Sequence, residues 1–289
     1  MTFPPLLYPS GQAFRDAPEK RLTLFGMSGL GKTHLAAKLR DGGEWFHYSV
    51  DYRIGTAYLG EHIADELKRE AMKAPYLAKL LKTDSIYIGS NITFGNLAPL
   101  SAFLGQPGDA AKGGLSIDEY RRRQALHRRG EINALLDTPH FVNRARDIYG
   151  YANVVCDTGG SICEVVDPDD PADPVMSTLA AHTLPVWLEG DDAHIQTLLD
   201  RFAKAPKPIY FRPDFLTDLW TGHLAAHGIE PDAVDPDAFA THAYRAVIEA
   251  RRPRYGAMAD NWGIRIPAAA AAETRTAADI VDLVADTLP

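Results

Sequence analysis

Leu22-Thr23-Leu24-Phe25-Gly26-Met27-Ser28-Gly29-Leu30-Gly31-Lys32-Thr33 decides how this chain is read. An apolar run with strand character ends in Gly26, four residues follow, and Gly31-Lys32-Thr33 opens a segment with helical spacing. Every position of G-x-x-x-x-G-K-[ST], the phosphate-binding loop, is matched. Glycines let successive backbone N–H groups turn inward toward phosphate oxygens, and the helix that starts there adds the positive end of its dipole. Lys32 is expected to reach the β- and γ-phosphates, and the Thr33 hydroxyl to ligate Mg²⁺. The nucleotide is therefore expected on Gly26, Met27, Ser28, Gly29, Leu30, Gly31, Lys32, Thr33 and His34. A glycine-rich turn that matched by chance would need neither the strand before it nor the helix after it.

The remaining composition narrows the classes. At 289 residues the chain can bury a full core, and 46% hydrophobic with 24% charged residues is an ordinary globular balance. A net charge of −8 argues against a nucleic-acid backbone as the main partner and leaves the Arg121-Arg122-Arg123 and Arg128-Arg129 clusters as the candidates for a local basic patch. No apolar run reaches the 18 or so residues of a membrane span, and the first residues lack a signal-peptide pattern, so a cytoplasmic location is expected; the chain is separately expected to be a monomer or homodimer. Cys156 and Cys163 match no zinc or redox spacing and read as small buried hydrophobes.

After the loop, Leu35, Ala36 and Leu39 share one helix face, and Gly42-Gly43 ends that helix. Residues 45–50 read as a second strand that delivers Asp51 at its carboxyl end, where ligands of α/β sheets bind. Residues 54–81 have helical spacing interrupted near Pro75, and residues 85–114 are irregular and glycine-rich. Ser116-Ile117-Asp118-Glu119 predicts a capped helix running to about Leu136, with a shorter helix from Thr138-Pro139. Further strands are predicted over 153–156, 183–188 and 263–266. Helices are expected over 194–202, from Asp235-Pro236 to Arg251-Arg252, and from Thr276 onward. Asp157 follows the third strand and leads into Thr158-Gly159-Gly160-Ser161. This alternation predicts an α/β protein, a P-loop NTPase with α/β/α layers, a mostly parallel five-stranded sheet and an enlarged helical insertion between strands 2 and 3. The chain reads as a single domain, with its core in 21–60 and 150–289 and the enlargement over about 60–150.

The order of pieces resembles the shikimate kinases and related small-molecule kinases of the nucleoside monophosphate kinase type. Besides the loop, Thr183 to Arg201 is similar to the family's fourth strand and following helix, and Lys207-Pro208-Ile209-Tyr210 to its lid sequence. Arg251-Arg252-Pro253-Arg254-Tyr255 is similar to its R-x-P-x-Y segment, and Asp157-Thr158-Gly159-Gly160-Ser161 to its T-G-G-G turn. The resemblance implies ATP, Mg²⁺ and transfer of the γ-phosphoryl group to a hydroxyl of a small polar acceptor. It also implies that Asp51, Gly159 and Gly160 bind the acceptor, that Arg251 grips its carboxylate and that Lys207 is the lid cation. The chain departs from the pattern in three places. Ser49 and Asp51 stand for an aspartate pair, Lys207 for an arginine, and the best F-R-x-x-E candidate, Tyr120 to Gln124, ends in an amide.

Phosphoryl transfer needs cations on the phosphates, a magnesium site and a group that orients the acceptor hydroxyl. Asp51 suits the last task and Asp157 the magnesium side, although either residue type is also common at strand-end turns. Glu164 reads equally as a functional acid or a cap. Arg121, Arg122 and Arg123 cannot all share one helix face. Arg121 is the representative candidate for an anionic acceptor, with surface solvation the alternative. His127 and His140 lack ligand-spaced partners and read as packing or surface residues. Two other classes remain open: an ATPase coupled to a conformational change or partner protein, which would keep Lys32, Thr33 and Asp157 but need no acceptor pocket, and a regulatory module that binds ATP without turnover.

Overall fold

Arg21–Phe25 (β1), Trp45–Ser49 (β2), Asn153–Asp157 (β3), Leu184–Glu189 (β4) and Ile264–Pro267 (β5) form one sheet in the computed structural model, which describes residues 2–289. The spatial order is β2-β3-β1-β4-β5 and every neighbouring pair is parallel. Runs such as Val154-Val155-Cys156 and Val186-Trp187-Leu188 are buried throughout, as a parallel sheet covered on both faces requires. Leu22, Leu24, Trp45 and Val155 face one core, which is closed by the Lys32–Asp41 and Ala277–Thr287 helices through Leu35, Leu39, Ile280 and Val284. Phe25, Tyr48, Cys156 and Trp187 face the other, shared with the Ile117–Leu136 and Pro236–Trp262 helices. Each strand lies within one residue of its sequence-based expectation.

The segment between β2 and β3 is mainly helical, with helices at Gly60–Met72, Pro75–Lys82, Ala98–Leu104, Ile117–Leu136 and Thr138–Asp147. Pro75 opens its helix at the first position, where its missing N–H costs nothing. Part of the glycine-rich stretch is pinned. Gly108 has φ +140° and donates its N–H to Leu115, while Asp109 donates to the Val234 carbonyl. A separate apolar cluster built from Tyr120, Phe211, Trp220, Phe239 and Val247 joins this region to the Pro213–His227 and Pro236–Trp262 helices.

Helices at Ala98–Leu104, Pro174–His182 and Pro213–His227 have no counterpart in the sequence-based expectation, and one expected helix differs in length. The helix that begins after Asp235 does not stop at Arg251-Arg252 but runs through Pro253 to Trp262. The proline removes one backbone hydrogen bond, but Tyr255, Met258, Ala259 and Trp262 beyond it are buried, and that burial holds the continuation. Arg251 is thus interior to a helix, and no helix C-terminal dipole explains it.

β1 sits at the centre of the sheet, where successive connections leave to opposite sides, so the crevice outside its carboxyl end is the natural ligand position. The register sets Leu24, Ser49 and Asp157 side by side at that end. No helix among the described residues is long and apolar enough to cross a membrane.

Candidate functional site

The loop after β1 takes the backbone path that its glycines permit. Gly26, Gly29 and Gly31 have φ of +132°, +91° and +96°, a region that side-chain-bearing residues rarely adopt. Gly31 caps the Lys32–Asp41 helix, while Met27 and Leu30 are buried and anchor the loop below. Ser28, Gly29, Gly31, Thr33 and His34 are exposed. Lys32 is only 5% exposed, and its Nζ donates to the carbonyls of Gly26 at 2.8 Å and Met27 at 2.9 Å. Burial lowers the pKa of this ammonium, and Asp157 and Asp51 oppose the shift.

Both acids favour the charged ammonium. Asp157, buried at the end of β3, has no hydrogen-bond partner for Oδ1, and its Oδ2 lies 3.6 Å from His47 Nε2. An unpartnered buried carboxylate oxygen beside a lysine suits a divalent cation. β2 stops at Ser49, whose hydroxyl accepts from Tyr52 N, so Asp51 lies in the first turn of the Val50–Arg53 helix. Burial, and then Asp157, push the Asp51 carboxyl up to about 6, with Lys32 opposing.

Gly159 and Gly160 fill the space between these parts. A Cβ at Gly159 would meet Asp51 Oδ1 at 2.5 Å, and one at Gly160 would meet Ser28 N at 2.7 Å. Their lack of side chains lets the turn after β3 touch both the acid and the phosphate loop.

Arg251 holds this turn in place. Its Nε donates to Glu164 Oε1 at 2.8 Å, Nη1 to the Gly160 carbonyl at 2.7 Å and Nη2 to the Tyr210 carbonyl at 2.6 Å. Glu164, also buried, accepts from Arg212 as well. Arg254 donates to the carbonyls of Cys163 and Val166, and the Tyr255 hydroxyl donates to Gly160. The R-x-P-x-Y stretch therefore clamps the turn of residues 160–166.

The remaining expected residues lie elsewhere. Lys207 is exposed on the chain between the Asp192–Lys204 and Pro213–His227 helices. Arg121 is exposed, with Asp118 4.0 Å away. Arg123 is buried between Glu119, Glu66 and the Phe103 carbonyl. Gln124 binds Ile209 O and Phe211 N, and the Tyr120 hydroxyl also donates to Ile209 O, so the stretch 120–124 is a brace for that segment. Cys156 and Cys163 are free and buried, and burial pushes both thiols up to about 12.

Sequence reasoning passed over a further buried polar group. Glu131 is fully buried, and Ser161 Oγ donates to its carboxylate oxygens at 2.8 and 2.9 Å. Burial raises this carboxyl to about 8, with Asp51 adding to the shift, so it holds a proton at neutral pH. His127 Nδ1 lies 3.7 Å away, and burial, then Arg251, lowers that imidazole to about 4. Its ring stacks on Tyr210, whose hydroxyl has no partner. The signal was present in the sequence: Arg128-Arg129-Gly130-Glu131 also spells R-x-x-E, with the acid in place.

The ensemble therefore brings together a glycine-lined loop at a helix N-terminus, a buried lysine and the acids Asp157 and Asp51. Among the described residues no group of three His, Cys, Asp or Glu forms a ready metal cluster. Comparison with protein-family models and with curated proteins returns no match. Among solved structures, a shikimate kinase from Bacteroides thetaiotaomicron is similar at 17% identity over 86% of each chain, with a TM-score of 0.35.

Proposed function

We propose that the protein is an ATP-dependent phosphotransferase that moves the γ-phosphoryl group to a hydroxyl of a small, polar, anionic metabolite. The observation that carries this reading is the buried Lys32 whose charge is favoured by two acids, Asp157 with an unpartnered oxygen and Asp51 packed on the Gly159-Gly160 turn. ATP would lie on residues 26–34, and Mg²⁺ would be held by Thr33 and Asp157. The bound nucleotide and metal supply the activated phosphoryl group and neutralise its charge. Lys32 exchanges its two carbonyl acceptors for phosphate oxygens. Asp51, ionised above about pH 6, accepts the hydroxyl proton of the acceptor. Arg251 acts by holding Gly160. Arg121 and Lys207 would join only through closure of their segments over the ligands.

The ATPase reading is favoured by one specific observation: the Arg251 guanidinium is fully engaged with protein groups. The two readings separate in one experiment. ADP release is measured with and without a pool of hydroxylated metabolites, for the parent and for Lys32→Ala. A kinase accelerates only when an acceptor is added, and the variant loses about 3 kcal/mol of transition-state stabilisation, roughly a hundredfold in rate. Basal turnover indifferent to every metabolite selects the ATPase, and a folded Lys32→Ala variant at parental rate would refute both.

A further inference from the structure

We propose that a cleft along the open edge of β2 binds a second ligand, a small planar aromatic molecule carrying one anionic group. Among the described residues β2 pairs only with β3, which leaves its other side without a strand partner. There the chain leaves a cavity of about 730 Å³, within the usual range of small-molecule pockets, and neither Lys32 nor Asp51 lines it.

Its walls have the chemistry of a stacking site. Phe46 lies nearly parallel to Phe141, with centroids 6.4 Å apart, and to Tyr149 at 5.5 Å. Tyr149 is 55% exposed, although an aromatic ring gains most when covered. Phe94 packs on both His47 and Tyr52 across the cleft. A flat ring inserted beside Phe46 would extend the stack that these side chains begin.

Charge selects the substituent. Arg40, Arg53 and Arg144 reach the cleft, and no carboxylate is among its described walls. Arg53 is held by Asp137, and Arg40 by its neighbour Asp41. Arg144 lies over the Phe141 ring at 5.9 Å and has no ion pair among the described residues, which leaves its fork available to an anion. His47 adds a buried ring, both of whose nitrogens lack a hydrogen-bond partner. A buried polar group of this kind is ordinarily matched by something, and a ligand atom in the cleft would match Nδ1.

The full chain is titrated calorimetrically with 2-naphthoate, 2-naphthyl phosphate, uncharged 2-naphthamide and non-planar cyclohexanecarboxylate. One or both naphthyl anions should bind once per chain, and the tighter of them identifies carboxylate or phosphate as the natural group. The amide and the cyclohexane acid should bind at least about tenfold more weakly, a difference of about 1.4 kcal/mol. Arg144→Ala and Tyr149→Ala, both at partly or largely exposed positions and so expected to fold, should each weaken the anion about tenfold, and saturating ATP should not displace it. The proposal is overturned if neither anion binds, if either variant binds as the parent does, or if ATP competes.

Discussion

Asp51 and Asp157 are the same residue type and both raise the pKa of one lysine, yet they face different tasks. Asp51 is raised to about 6 by burial, whereas Asp157 keeps an unpartnered oxygen beside the loop. Asp51→Asn should therefore abolish acceptor phosphorylation and spare ATP binding, and Asp157→Asn should weaken the Mg²⁺ dependence of nucleotide binding. Titration of a fluorescent ATP analogue with and without Mg²⁺ distinguishes them, and identical behaviour would remove the division of labour. In the parent, the acceptor rate should fall as pH drops through about 6, because protonated Asp51 cannot take a proton. Glu131 makes an opposite demand on pH. Its carboxyl is raised to about 8 when folded, against about 4.3 unfolded, so the native state keeps a proton that the unfolded chain releases between those values. The stabilisation is complete below the lower value and is lost as pH rises toward 8, by at most about 1.4 kcal/mol per unit. Glu131→Gln should flatten that slope, with a urea midpoint above the parent's at pH 8 and close to it at pH 4, as urea titrations at both values would test.

At the scale of elements, the Pro236–Trp262 helix and the turn after β3 behave as one part. A lysine at 251 has a single ammonium and cannot reach Glu164, Gly160 and Tyr210 in the planar pattern that the guanidinium reaches. Arg251→Lys should cost about 3 kcal/mol of stability in urea, by leaving buried partners unmatched. If the variant lost acceptor affinity with stability intact, Arg251 would be a ligand anchor and not a clamp. The strands, the phosphate loop and the capped helix after Ser116 were legible in the sequence because their signals are local: apolar runs, glycines with fixed spacing, a hydroxyl before the first turn. The clamp was not, since no pattern near Arg251 says that its partners lie in residues 160–210. The continuation past Pro253 was hidden for the same reason, as local chemistry argues for a stop and distant burial overrides it. Glu131 escaped because a single buried acid has no periodicity, and only its R-x-x-E spacing marked it.

Across the whole molecule, residues 60–150 are held together internally by buried polar ties as well as by apolar packing. Arg123 links three separate stretches through Glu119, Glu66 and the Phe103 carbonyl, while Arg121 faces solvent. Arg123→Ala should destabilise by about 3 kcal/mol, whereas Arg121→Ala should stay within about 0.5 kcal/mol. Denaturant midpoints of the two variants measure this, and equal midpoints would deny the insertion its internal brace. The sheet itself has a consequence for how the protein is made. β1 and β2 both depend on β3 for pairing, and β3 begins at Asn153, more than a hundred residues after β2 ends at Ser49. At ribosomal speeds of about 5–20 residues per second, the first two strands wait on the order of 5–20 s before their partner exists. During that interval the apolar residues of β1 have no sheet to join, so the order of synthesis leaves them uncovered until β3 is made.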